Sequence, residues 1–340
     1  MRAAAEPVLL RDETLTLEGE LEINQDVAPC GWCFSSWRVA KSRNARQGPT
    51  KMIGVFDSGF GGLTVLASLM RALPAYDYVY LADSARAPYG ARSADVINEF
   101  TLESVEWLFE QGCTVVILAC NTSSARALRN IQQLHLPVHR TDRRVLGVVR
   151  PSVEALAGLP VGAVAILGKT APSNAEGLVA VLGTESTIAS DSYGIELRKL
   201  APRLTLVQQA CPLWVPLVEA GELEGPGTEW FLRRSLEPFL APHQLPLRML
   251  LGCTHYPLLL PALRRIVPPE VEILDQGEIV APRFADWLRR HPDQERCLTK
   301  GGARRFVTTD DPSWFAARGE RLLGRAMTVE RARLRPVNHR

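Results

Sequence analysis

Val-Val-Ile-Leu-Ala-Cys-Asn-Thr-Ser-Ser, residues 115–124, decides the fold. Its apolar run, Val115 to Ala119, ends on a cysteine and four small polar residues. A short continuous apolar run bounded by turn-forming residues is the pattern of a strand buried on both faces, as in a parallel sheet. Small polar residues suit a helix start, and the spacing predicts a helix over 123–134. A related phrase, Met-Leu-Leu-Gly-Cys-Thr-His-Tyr-Pro, recurs at 249–257. Each phrase places a thiol at the end of an apolar strand.

The same alternation extends outward. Ile53 to Phe56 and Tyr78 to Ala82 read as strands. Between them Leu63, Leu66, Leu69 and Met70 have helical spacing over 63–72, and Pro74 follows. A helix is predicted over 94–111. Further strands are predicted near 145–149, 163–167, 178–182, 204–208, 249–251 and 272–274, with helices between most of them. Apolar strands alternating with helices indicate an α/β protein with mainly parallel sheets. Ligands of such sheets sit beyond the carboxyl ends of the strands, where both cysteine phrases lie.

The chain has 340 residues, enough for two domains or one large one. Its 39 basic and 37 acidic residues leave a formal charge of +2, so no strong field points to nucleic acid or an acidic membrane. No apolar run approaches the roughly 18–20 residues of a membrane span. The opening residues carry acids and lack the apolar stretch of a secretory signal. The seven cysteines (30, 33, 113, 120, 211, 253 and 297) are odd in number and scattered, which reads as free thiols in a reducing cytosol. Cys30-Gly-Trp-Cys33 has no second pair for zinc and no βαβ context for redox work, so it is assigned no function. Residues 1–51 lack sustained periodicity, and 38–51 are basic and polar. Weak order is expected there.

Three segments can carry chemistry. Asp57-Ser58-Gly59-Phe60-Gly61-Gly62 follows a strand, and its glycines would let backbone N–H groups approach an anion. It does not match the dinucleotide fingerprint and has no P-loop lysine, so a tight strand-to-helix turn explains it equally well. In Cys120-Asn121-Thr122 the polar neighbours are wrong for a core, and a helix N-terminus favours thiolate. In Cys253-Thr254-His255 a histidine stands two residues from a thiol, where it can stabilise thiolate or carry a proton. Acyl transfer needs one nucleophile. Zinc would need further ligands, and disulfide exchange prefers Cys-x-x-Cys. Two equivalent thiols suit inversion of a stereocentre, in which one removes the α-proton as thiolate and the other delivers a proton as thiol.

On several phrases in order the chain resembles glutamate racemase, of the cofactor-independent aspartate/glutamate racemase superfamily. They are Ile53–Gly62, Ala87-Pro-Tyr-Gly90, Ala119–Thr122, Gly183–Thr187, Cys211–Glu219 and Leu251–Pro257. The resemblance covers about residues 52–325. It implies that Cys120 takes the proton from the D enantiomer and Cys253 from the L. Asp57 and His255 assist their respective thiols, and Glu219 supports the Cys253 side. Asp57, Ser58, Tyr89, Gly90, Asn121, Thr122, Thr254 and His255 would bind the substrate. No metal or cofactor is implied. The function implied is supply of D-glutamate for peptidoglycan, hence for cell wall and cell shape, by a cytoplasmic enzyme. The partner is the small-molecule substrate, with no nucleic acid and no membrane. The family often forms homodimers, although no interface is legible.

The implied fold is two similar α/β subdomains with the active site in the cleft between them. One comprises 52–146 with 275–327, the other 147–274, and 328–340 is a tail. Three features depart from the family pattern. Residues 1–51 are extra, and the native start is expected near Met52. His139-Arg-Thr-Asp-Arg-Arg144 interrupts a run that is usually continuous. Val164–Thr170 and Val179–Glu185 compete for one strand. The nearest rival readings are a racemase of aspartate or another amino acid, and a non-catalytic binding protein that retains the fold.

Overall fold

The computed structural model describes residues 51–163, 173–240 and 245–337. The expectations for 1–50, including Cys30 and Cys33, and for nearly all of a strand at 163–167 lie outside them. The strands in chain order are β1 (Met52–Asp57), β2 (Tyr78–Ala82), β3 (Cys113–Leu118), β4 (Arg144–Gly147), β5 (Gly177–Gly183), β6 (Leu204–Ala210), β7 (Arg248–Gly252), β8 (Glu272–Leu274), β9 (Arg304–Thr308) and β10 (Val329–Arg331). They form two sheets, ordered β10-β9-β2-β1-β3-β4 and β6-β5-β7-β8. Every ladder is parallel.

All of β2 and β3 is buried. Helices cover both faces of the sheets, so inner strands are apolar on both sides and read as continuous runs rather than alternations. Of the helices, α1 (Leu63–Ala72), α2 (Ala94–Glu110), α3 (Asn121–Arg126), α4 (Val149–Leu156), α5 (Ser192–Leu200) and α6 (Gln276–Arg290) bear on the site. After β8 the chain leaves the second sheet through α6, whose start is capped when Asp275 Oδ1 accepts from Gly277 N at 2.8 Å. This helix packs along α1. A side chain at Gly277 would place its Cβ 2.7 Å from Ser68 Oγ, so the close approach requires glycine.

Two strands lack a continuous apolar run, although Phe306 and Val307 of β9 are buried. In β9, Arg304 donates to the carbonyls of Tyr76 and Pro74 at 2.5 and 2.6 Å. Arg305 pairs with Glu330 of β10 at 2.7 Å. Charges satisfied at the sheet margin hide these strands from a search for apolar runs. The stretch read as a tail, 328–340, therefore opens with an edge strand. The helix predicted over 123–134 begins at Asn121 and continues, broken, to His139, with a widened turn over Ile131–His135. Pro137 has no N–H to donate, and the widening directly precedes it.

The run 139–144 turns at the surface before β4, with Arg143 N bonded to Arg140 O at 3.0 Å. Arg140 pairs with Glu106 of α2 at 2.6 Å, and Arg143 donates to the Cys113 carbonyl at 3.0 Å. Of the two segments that competed for one strand, Val179–Gly183 lies in β5, an inner strand hydrogen-bonded to both β6 and β7.

Candidate active site

A cavity of about 250 Å³ opens at the carboxyl ends of strands from both sheets. That is room for a small metabolite rather than a polymer. Cys120, beyond the end of β3, reaches it from the first sheet, and Cys253, directly after β7, reaches it from the second. They are only 5% and 6% exposed. The Cys120 sulfur is 3.5 Å from Ser58 Oγ, and the Cys253 sulfur is 3.9 Å from His255 Nδ1.

Burial pushes the Cys120 thiol up, and the neighbouring Asp57 carboxylate adds to the shift. Burial also pushes Cys253 well up, against a hydrogen bond from the His255 backbone. The expectation that a helix start would lower the Cys120 pKa is therefore corrected. Helix α3 has only six residues, and desolvation of the charged form outweighs its dipole.

The glycine turn does cradle an anion, but a residue of the protein itself. Gly59 N and Gly62 N both donate to Asp57 Oδ2 at 3.1 Å. Asp57 is fully buried behind the cavity wall, and burial raises its pKa to about 6 against the pull of His255. A Cβ at Gly62 would lie 2.5 Å from Asp57 Cβ, and one at Gly61 would lie 2.6 Å from both His255 Nδ1 and Thr254 Oγ1. The turn between β1 and α1 thus interlocks with the Cys253-Thr254-His255 phrase. The Phe60 ring meets His255 edge-on at 4.9 Å. His255 Nε2 lies 3.4 Å from Glu219 Oε1, a close approach without an aligned hydrogen bond.

Of the candidate residues, Ser58, Tyr89, Gly90, Cys120, Asn121, Thr122, Glu219, Cys253, Thr254 and His255 all line the cavity, and Asp57 stands behind them. Several polar groups are already engaged. The Tyr89 hydroxyl donates to Asp83, which also accepts from Arg86 at 2.6 Å and from Thr309 at 2.8 Å. The Asn121 amide is bonded to Gln276 and Tyr193. Thr254 Oγ1 donates to Asp57 Oδ1 at 3.3 Å. Gly90 meets the second sheet closely: its carbonyl accepts from Ser186 N at 3.1 Å, and a Cβ there would be 2.8 Å from Thr184.

Thr184 and Cys211 are among the lining residues that were assigned no role from sequence. Thr184 follows β5, and its hydroxyl lies 3.0 Å from that of Thr122. Cys211 follows β6, with its thiol pushed by burial to about 12. The usable signal was positional, because each comes directly after a strand of the second sheet, as Cys253 does.

No protein-family model matches the chain. It is 38% identical over 282 residues to glutamate racemase of Roseobacter denitrificans, a match spanning 82% of this chain and 99% of that one. Among solved structures it resembles glutamate racemase of Bacillus anthracis (TM-score 0.73, 29% identity, 84% and 99% of the two chains). It also resembles that of Francisella tularensis in complex with D-glutamate (TM-score 0.70, 29% identity, 84% and 98%). On this likeness in sequence and fold, the chain belongs to the glutamate racemase family.

Proposed function

We propose that the protein interconverts L- and D-glutamate without a cofactor, with Cys120 and Cys253 carrying the α-proton. The observation that supports this most is two buried thiols from different sheets meeting one small cavity. Cys253 as thiolate removes the α-proton of L-glutamate, and Cys120 as thiol delivers a proton to the opposite face. The D enantiomer reverses the roles. A thiolate held above its ordinary pKa is a stronger base once formed, which suits a weakly acidic α-proton. The substrate ammonium supplies the positive charge that favours thiolate in a desolvated cavity. His255 takes and returns the Cys253 proton, with Glu219 behind it. Asp57 acts on the Cys120 side.

Ser58, Tyr89, Gly90, Asn121, Thr122 and Thr254 form the wall that holds the amino and carboxylate groups. For Tyr89 and Asn121 the engaged side chains leave backbone and ring surface for that purpose. The reading places the product in peptidoglycan synthesis in the cytoplasm and the chain in a homodimer. It divides the chain into 52–146 with 275–327 and 147–274. Among the described residues no helix is long and apolar enough to cross a membrane.

The test is L-glutamate in deuterated water, followed by optical rotation and α-deuterium. Racemisation with one deuterium entering D-glutamate is expected. Racemisation of aspartate but not glutamate, or of neither, overturns the reading.

A further inference from the structure

At the cavity wall, the side chain of Asn121 is held by residues from two other helices, one of them bonded in turn to a third. Asn121 adjoins Cys120 and opens α3. Its Nδ2 donates to Gln276 Oε1 at 2.5 Å, and its Oδ1 accepts from Gln276 Nε2 at 2.7 Å and from Tyr193 OH at 2.5 Å. Gln276 opens α6, Tyr193 belongs to α5, and Ser152 of α4 accepts from Gln276 Nε2 at 3.1 Å. All four residues are buried. Two amides paired head to head, with a phenol that donates to one and accepts from the other, hold each other's side chains in place. A half-satisfied amide here is costly.

We propose that Gln276 and Tyr193 are positioning residues. They hold the Asn121 amide and thereby fix the start of α3, and with it the sulfur of Cys120, for proton transfer. The proposal rests on the two-thiol reading and adds residues that touch no substrate. The pairing spans the molecule, since Gln276 stands where the chain leaves the second sheet and Asn121 follows the central part of the first. No hydrogen bond of this network reaches Cys253, although Tyr193 lies close enough to feel its charge. Loosening the network at Gln276 therefore acts first on Cys120.

That asymmetry supplies the test. In deuterated water, Cys253 removes the proton of L-glutamate. If Cys120 is misplaced, the intermediate persists until the proton taken by Cys253 has exchanged with solvent through His255, and the same thiol then returns deuterium to L-glutamate without inversion. The ratio of deuterium in residual L-glutamate to D-glutamate formed does not depend on how much enzyme is folded. Q276L and the milder Y193F are expected to raise this ratio, Q276L by roughly tenfold, the factor that about 1.4 kcal/mol of lost positioning represents. An unchanged ratio in both variants overturns the proposal. Iodoacetamide alkylation of the full chain, resolved by peptide mass, adds a readout free of activity. In Q276L the Cys120 rate is expected to change severalfold relative to the Cys253 rate in the same sample. Parallel change at both sites overturns the proposal. If the native protein does not act on glutamate, the functional reading fails, and alkylation still decides the role of Gln276.

Discussion

Thr254 donates its hydroxyl to Asp57 Oδ1 across 3.3 Å, joining the end of β7 in one sheet to the end of β1 in the other. The same carboxylate organises the glycine turn through Gly59 and Gly62. One buried acid thus sets the geometry on both sides of the cavity. Its position requires that an ionisable group be kept from water next to two thiols.

Asp57→Asn separates the hydrogen-bonding role of that acid from its charge. Burial raises the Asp57 pKa from 3.8 to about 6, so the folded state binds its proton more tightly than the unfolded chain. The resulting stabilisation is fully present below about pH 3.8 and is lost as pH rises through about 6. The whole span is on the order of 3 kcal/mol. The amide can still accept from the two glycines and carries no charge. The melting temperature of the variant, relative to the native protein, is expected to be more favourable at pH 8 than at pH 5, while racemisation falls. A difference that does not vary with pH would show that Asp57 is not a buried, raised acid.

On the proposed mechanism, replacing either thiol by a hydroxyl removes one of the two bases. Cys120→Ser and Cys253→Ser are each expected to lower kcat/KM by at least roughly a thousandfold, within the range for loss of a general acid or base. In the native enzyme, kcat/KM should rise with pH as one thiolate forms and fall where both are ionised. Burial raises both thiols, so the alkaline limb is expected above the ordinary range of a free thiol. A near-native rate in either variant removes that cysteine from the mechanism.

Gly61→Ala probes the interlock between the two sheets. Its Cβ would press on His255 Nδ1 and Thr254 Oγ1, and the Phe60 ring confines the imidazole. Overpacking of this kind costs about 1–3 kcal/mol, and here the strain falls on the histidine beside Cys253. Chemical denaturation and kcat/KM measured together should show activity falling further than stability. Gly227→Ala is the control, since it lies in a helix with nothing within 4 Å of the added carbon. It is expected to be neutral or to stabilise by up to about 1 kcal/mol. Equal behaviour of the two variants would rule out the interlock.

The α/β alternation was legible because buried parallel strands such as Val115–Leu118 and Met249–Leu251 must be apolar on both faces. Both thiols were legible because each ends such a run. The rest of the site was hidden for specific reasons. The fate of the Asn121 amide depends on Gln276, a partner 155 residues away that no local pattern marks. The Tyr89 hydroxyl looks available in sequence and is taken by Asp83. The glycine turn reads as an anion cradle, yet its anion is the residue that begins it. Thr184 and Cys211 line the wall with no catalytic neighbour in sequence to flag them. Strands β9 and β10 escape because their arginines and glutamate, which pair with each other and with carbonyls, leave too short an apolar run, Phe306-Val307, to mark a strand.

Glu219 poses the remaining mechanistic question, because it can act through His255 or on the substrate directly. It lines the cavity, and its Oε1 lies 3.4 Å from His255 Nε2. No aligned hydrogen bond joins them, so the influence is that of a charge beside a partly desolvated ring. Glu219→Gln keeps the shape and removes the charge. It is expected to lower kcat by roughly tenfold with little change in KM, since about 1.4 kcal/mol of transition-state interaction corresponds to that factor. Pairing it with His255→Asn completes a double-mutant cycle. If Glu219 works through the imidazole, the double variant loses no more than His255→Asn alone, because the charge then has nothing to act upon. Losses that add would instead place Glu219 against the substrate, and a raised KM in the single variant would identify it as a binding group.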